Sequence, residues 1–117
     1  MTLTETHKRT AQSLIQQSEK HFREGDMPSA SKSAWDAVEC YLDAVAEQRG
    51  WDHKTYLDLS RVLTRLAEGS NTPRRMRLMF LRMTGLHANA YEDWYSSKMV
   101  KDSIEEAKEL IDMLERV

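Results

Sequence analysis

Met27-Pro28-Ser29-Ala30-Ser31-Lys32-Ser33-Ala34-Trp35-Asp36-Ala37-Val38-Glu39-Cys40-Tyr41-Leu42-Asp43-Ala44-Val45-Ala46-Glu47-Gln48-Arg49, closed by Gly50, decides the fold class. Met27, Ala30, Ala34, Trp35, Val38, Tyr41, Leu42 and Val45 recur at steps of three and four over five turns, with Ala46 beside them. That is the period of an α-helix with one buried face. Asp26 stands where an N-cap belongs, Pro28 suits a first turn, and Gly50 suits a left-handed terminus.

The same punctuation divides the rest of the chain. Gly25, Gly50 and Gly69 each follow a helical stretch and are expected to end it in left-handed conformation. A first helix runs from about Thr4 to Glu24 with Leu3, Ala11, Leu14, Ile15 and Phe22 as its stripe, and with His7 and Ser18 in register. A third, shorter and off-axis, covers Thr55 to Glu68 with Leu59, Val62, Leu63 and Leu66. A fourth starts at Pro73, capped by Thr72, and reaches Trp94. Its stripe is Met76, Met79, Phe80, Met83, His87, Ala90, Tyr91 and Trp94. A fifth runs from Lys98 to Arg116 with Val100, Ile104, Ala107, Ile111 and Leu114. No window alternates strictly, so no strand is expected. The chain reads as all-α, a five-helix antiparallel bundle over residues 1–117. Thr64, 34 residues after Ala30, repeats nothing around it, which removes a tetratricopeptide array.

Composition sets the outer limits. The chain has 117 residues, of which 40% are hydrophobic and 31% charged. That suits one domain with one core. The lone cysteine, Cys40, rules out a disulfide framework, suits a reducing compartment and leads to an expected cytoplasmic location. No apolar run approaches a membrane span, and Met1 to Lys8 lacks the apolar stretch of a secretory signal. With a net charge of −2, the molecule as a whole does not attract nucleic acid. Charge is nonetheless uneven. Gly69 to Tyr91 holds Arg74, Arg75, Arg77 and Arg82 and no acid, whereas Lys101 to the end is mostly acidic. This arrangement is either a charge match between the fourth and fifth helices or a phosphate-facing patch on the fourth.

Several chemistries lack their residues. There is no Gly-rich phosphate loop, no His-Glu-x-x-His and no calcium loop. Di-iron bundles need Glu-x-x-His, but Thr4, Ser18, Gly50 and Thr84 precede the four histidines at that spacing. Asp36, Glu39, Asp43 and Glu47 form an acidic line on the second helix, read as a solvated face rather than a cation site. No metal and no cofactor are expected. Cys40 has no His at helical spacing and reads as a structural thiol. Met76, Met79, Met83 and Phe80 read as core. Trp51 reads as packing the corner between the second and third helices. His87 falls within the apolar stripe, within a turn of Thr84 and Tyr91. Arg82 precedes it by five residues. On one straight helix the two point about 140° apart, so joint action needs a break at Gly85 or a second subunit.

The order and spacing of several motifs resemble the HEPN superfamily of small helical bundles, in particular its PaREP-type branch. They are Gly25-Asp26 with Ala30, Lys32, Ala34 and Trp35; Ala44-Val45-Ala46-Glu47 with Arg49-Gly50-Trp51 and His53; Leu59, Val62, Leu66, Ala67 and Glu68; and above all Leu86-His87-Ala88-Asn89-Ala90-Tyr91-Glu92-Asp93-Trp94. The resemblance covers about residues 22–115. It implies one HEPN-like domain, often paired as a homodimer. It also implies a metal-independent endoribonuclease in some members, held in toxin–antitoxin pairs by a nucleotidyltransferase-type antitoxin. The implied catalytic pair is Arg82, stabilising phosphate charge, and His87, moving protons. Three readings follow. One is a ribonuclease using Arg82 and His87. The second is a noncatalytic module binding a protein, nucleotide or RNA, with His87, Asn89 and Tyr91 as its cluster and Arg74, Arg75 and Arg77 as its basic patch. The third is a plain structural bundle with His87 in the core.

Overall fold

The computed structural model describes residues 3–116, with side chains from residue 5 onward. Five helices appear in order: α1 (Leu3–Arg23), α2 (Met27–Arg49), α3 (Tyr56–Glu68), α4 (Pro73–Glu92) and α5 (Ser97–Glu115). Among the described residues there is no strand. Leu3, assigned above to the first stripe, lies outside the described side chains.

The ends of α2 follow its sequence signals. The Asp26 carboxylate accepts from the Ser29 backbone N–H at 3.1 Å, and Gly50 turns the chain at φ 72°. The Trp51 N–H then donates to the Ala46 carbonyl at 2.8 Å. This return bond satisfies one of the last orphan carbonyls of the helix. α3 is started by a capping box: the Thr55 hydroxyl accepts from the Asp58 N–H, and the Asp58 carboxylate accepts from the Thr55 N–H. Thr55 is therefore the cap and not the first helical residue.

Two terminus expectations are corrected. Gly69 is right-handed, so α3 closes with a tight turn in which Gly69 N–H donates to the Leu66 carbonyl. Thr72 occupies the cap position of α4 without a side-chain capping bond; Pro73 already removes one orphan donor.

α2 is the hub and touches the other four helices. Its buried face includes Trp35, Val38, Tyr41 and Leu42, all within 3% of full burial. α1 packs antiparallel along it. Ser18, wholly buried, donates to the Ala30 carbonyl at 2.6 Å near one end, while the Cys40 thiol meets the His7 carbonyl at 3.7 Å near the other. α4 and α5 lie antiparallel on the other side, and Met76, Met79, Met83, Ile104, Leu110 and Leu114 fill the space between. The result is the five-helix bundle expected from the sequence. No described helix is long and apolar enough to cross a membrane.

The far end of α4 departs from the sequence reading. The helix stops at Glu92, because Asp93 adopts φ 50° as a left-handed cap. Trp94 is 65% exposed and Tyr91 73% exposed. The buried stripe passes through Leu86 and Asn89, so His87 is exposed and outside the core. α4 also runs unbroken through Gly85. The glycine serves a close approach: a Cβ there would collide with the Tyr95 hydroxyl.

Candidate functional site

The chemistry of interest sits on α4 and the turn after it. Since α4 is continuous, Arg82 and His87 stay about 140° apart. Arg82 turns to α5, where its guanidinium meets the Glu106 carboxylate at 2.5 Å. Arg75, two turns earlier, pairs with Glu109. Half of the basic patch is thus neutralised by the acidic helix that faces it. Arg74 and Arg77 have no carboxylate partner among the described residues.

His87 faces the other way. Its ring lies over Trp35, with centroids 5.0 Å apart, and meets Tyr91 edge-on at 5.7 Å. Trp35 also contacts Phe80 at 6.0 Å and Tyr56 at 6.3 Å. A continuous set of rings therefore runs from α3 across the core to the surface of α4. Its outer members, Tyr56, His87 and Tyr91, are open to solvent. Sequence reading missed Trp35 as the ring beneath His87, because the two stand 52 residues apart in the chain.

Asn89 is wholly buried. Its amide nitrogen donates to the Ser31 hydroxyl at 2.9 Å, and its oxygen accepts from the Trp94 and Tyr95 N–H groups at 2.8 Å each. The side chain acts as an extra carbonyl beyond the end of α4. It holds the chain reversal that displays Trp94.

The acidic line on α2 is partnered. Lys32 meets Asp36 at 2.7 Å, His53 meets Asp43 at 3.0 Å, and His7 lies 3.8 Å from Glu47. Among the described residues, no three His, Cys, Asp or Glu side chains are grouped to hold a metal ion. Burial pushes the Cys40 thiol up, and the nearby carboxylates push the same way, so its nucleophilic form is disfavoured. Burial also pushes the Glu39 carboxyl up, with Asp43 and Asp36 adding to it; a hydrogen bond with Trp35 and the nearby His87 pull it partly back.

The sign of that shift gives a pH prediction. A carboxyl raised in the folded state costs stability once it ionises. The cost is full above the folded value and disappears below the unfolded one, near 4.5. Glu39→Gln is therefore expected to raise the urea midpoint at pH 7 and to lose that advantage at about pH 3.5. An advantage equal at both pH values would assign the gain to packing and not to ionisation.

A family model described as the archaeal PaREP1/PaREP8 family matches residues 6–111. No curated protein matches the chain.

Proposed function

The chain belongs to the archaeal PaREP1/PaREP8 family, and from that premise we propose that it is a noncatalytic interaction module of HEPN type. In this reading residues 1–117 form one HEPN-like domain that works in the cytoplasm as a homodimer, with α4 as the contact helix. The observation that carries the noncatalytic reading is the Arg82–Glu106 ion pair. It holds the guanidinium against α5, on the opposite side of α4 from His87.

The outer face of α4 supports self-association. Arg77, Leu81, Thr84, Ala88 and Tyr91 succeed one another at steps of four and three, the spacing of a helix–helix seam. Leu81 is 60% exposed although it is apolar. The face is basic at one end, with Arg74 and Arg77, and acidic at the other, with Glu92 and Asp93. An antiparallel second copy centred near Thr84 sets Leu81 against Ala88 of that copy, and Arg77 against its Glu92. A two-fold axis makes such a patch self-complementary. Tyr91, at the end of the seam, and Trp94, beside it, are the residue types that anchor partner proteins. The partners implied by the HEPN resemblance are a nucleotidyltransferase-type antitoxin and RNA.

One observation favours the metal-independent endoribonuclease as a second reading. His87 is exposed, and the same antiparallel pairing brings Arg82 of one copy level with His87 of the other. Light scattering and RNA cleavage in EDTA separate the readings. The expected result is a dimer for wild type, a monomer for Leu81→Glu, and no cleavage by either. A monomeric wild type would remove the α4 seam. Cleavage leaving cyclic phosphate ends, and lost in His87→Ala, would replace the noncatalytic reading with the ribonuclease.

A further inference from the structure

The corner between α2 and α3 sets two guanidinium groups against one indole, and a third arginine lines the cleft beside it. Gly50 and the Trp51–Ala46 backbone bond fix Trp51 at the end of α2, half-buried against the core. The Arg49 guanidinium lies 5.3 Å from the centre of the Trp51 ring system, and the Arg65 guanidinium 4.9 Å. Arg61 precedes Arg65 by one turn of α3. Trp51, Asp52, Asp58, Arg61, Val62 and Arg65 line a cleft of about 100 Å³.

The charges in this cleft are unevenly committed. None of Arg49, Arg61 and Arg65 has a carboxylate partner among the described residues. Asp58 is occupied in the cap of α3, accepting from the Lys54 and Thr55 N–H groups at 3.2 Å each. Asp52 is exposed on the rim. The contrast with Arg75 and Arg82 is direct, since each of those is neutralised by a glutamate of α5.

We propose that the cleft beside Trp51 is a binding site for a phosphate monoester, held by Arg61 and Arg65 with Arg49 at its edge. Guanidinium groups suit this ligand because their planar fork donates two parallel hydrogen bonds to phosphate oxygens. The indole places two of the three arginines by cation–π contact, so less side-chain freedom is lost when the ligand arrives. Val62 and the ring lower the local dielectric, which strengthens each charge contact. Asp52 and Asp58 both oppose the anion and set the affinity below what three arginines alone would give. The site is separate from the α4 seam and does not depend on that reading.

The test is a titration of the full chain with inorganic phosphate and pyrophosphate, read from the Trp51 indole N–H resonance. Trp35 and Trp94 serve as internal references. A saturable shift at Trp51 is expected, weakened about tenfold or more in Arg65→Gln and in Arg61→Gln. Asp52→Asn is expected to bind severalfold tighter, a gain that a merely structural role for this corner would not produce. Adenosine monophosphate and a 5′-phosphorylated oligonucleotide separate the two sources of the group. Binding of both supports a free nucleotide as ligand, and binding of the oligonucleotide alone supports an RNA end. Equal binding of an oligonucleotide with a 5′-hydroxyl would overturn the proposal. So would the absence of a saturable shift, or an affinity unchanged in both arginine variants.

Discussion

Asn89→Ala is expected to lower the unfolding free energy by about 3 kcal/mol, from three lost hydrogen bonds at about 1 kcal/mol each. The side chain is wholly buried and serves Ser31, Trp94 and Tyr95 together. Alanine leaves two consecutive backbone N–H groups without their acceptor at the point where α4 turns into α5. Against a typical total of about 5–15 kcal/mol, the loss is large. Urea unfolding measures it as a lower midpoint at unchanged slope. Ser31→Ala removes one of the three bonds, while its other bond, to the Met27 carbonyl, is a local one along α2; about 1 kcal/mol is expected there. A loss below 1 kcal/mol for Asn89→Ala would mean that water takes the place of the amide.

Trp35→Ala is expected to cost about 3–5 kcal/mol, the range for emptying a large aromatic site in a core. The indole is 2% exposed and is the ring on which α2, α3 and α4 converge, touching Tyr56, Phe80 and His87. Its removal leaves a cavity bordered by three helices, which cannot close without moving α3. Trp35→Phe keeps most of the apolar volume, and a clearly smaller loss is expected. The pair is read from urea midpoints, with near-ultraviolet circular dichroism as a check on aromatic packing. Equal losses for the two variants would move the stabilising role from ring volume to a contact specific to the indole.

The five helices were legible because their signals are local. Asp26, Thr55, Gly50 and the steps of three and four along α2 act within a few residues of one another. The candidate site was less legible because its determinants are distant in sequence. Arg82 and Arg75 are neutralised by Glu106 and Glu109, 24 and 34 residues away. Helical periodicity also misplaced His87. Counting large apolar residues favours a stripe through His87, Tyr91 and Trp94. The buried face passes through Leu86 and Asn89 instead, because a polar amide is accepted in the core when all its bonds are made. Asn89 entered the candidate cluster through the family resemblance, and its structural partner Ser31, 58 residues earlier, was out of reach of local pattern. Trp51 was placed correctly at the α2–α3 corner, but the two guanidinium groups around it required the packing of α3 to become visible.

The anchored turn after α4 has a consequence for recognition entropy. Trp94 is an exposed aromatic whose own N–H is tied to Asn89, and Tyr95, next to it, rests on Gly85. Its backbone has few conformations left to lose. A partner that covers Trp94 pays little ordering cost for that residue, so most of the contact area it gains is retained as affinity. Loosening the turn would weaken such a complex through the free state, without removing a single atom from the contact surface.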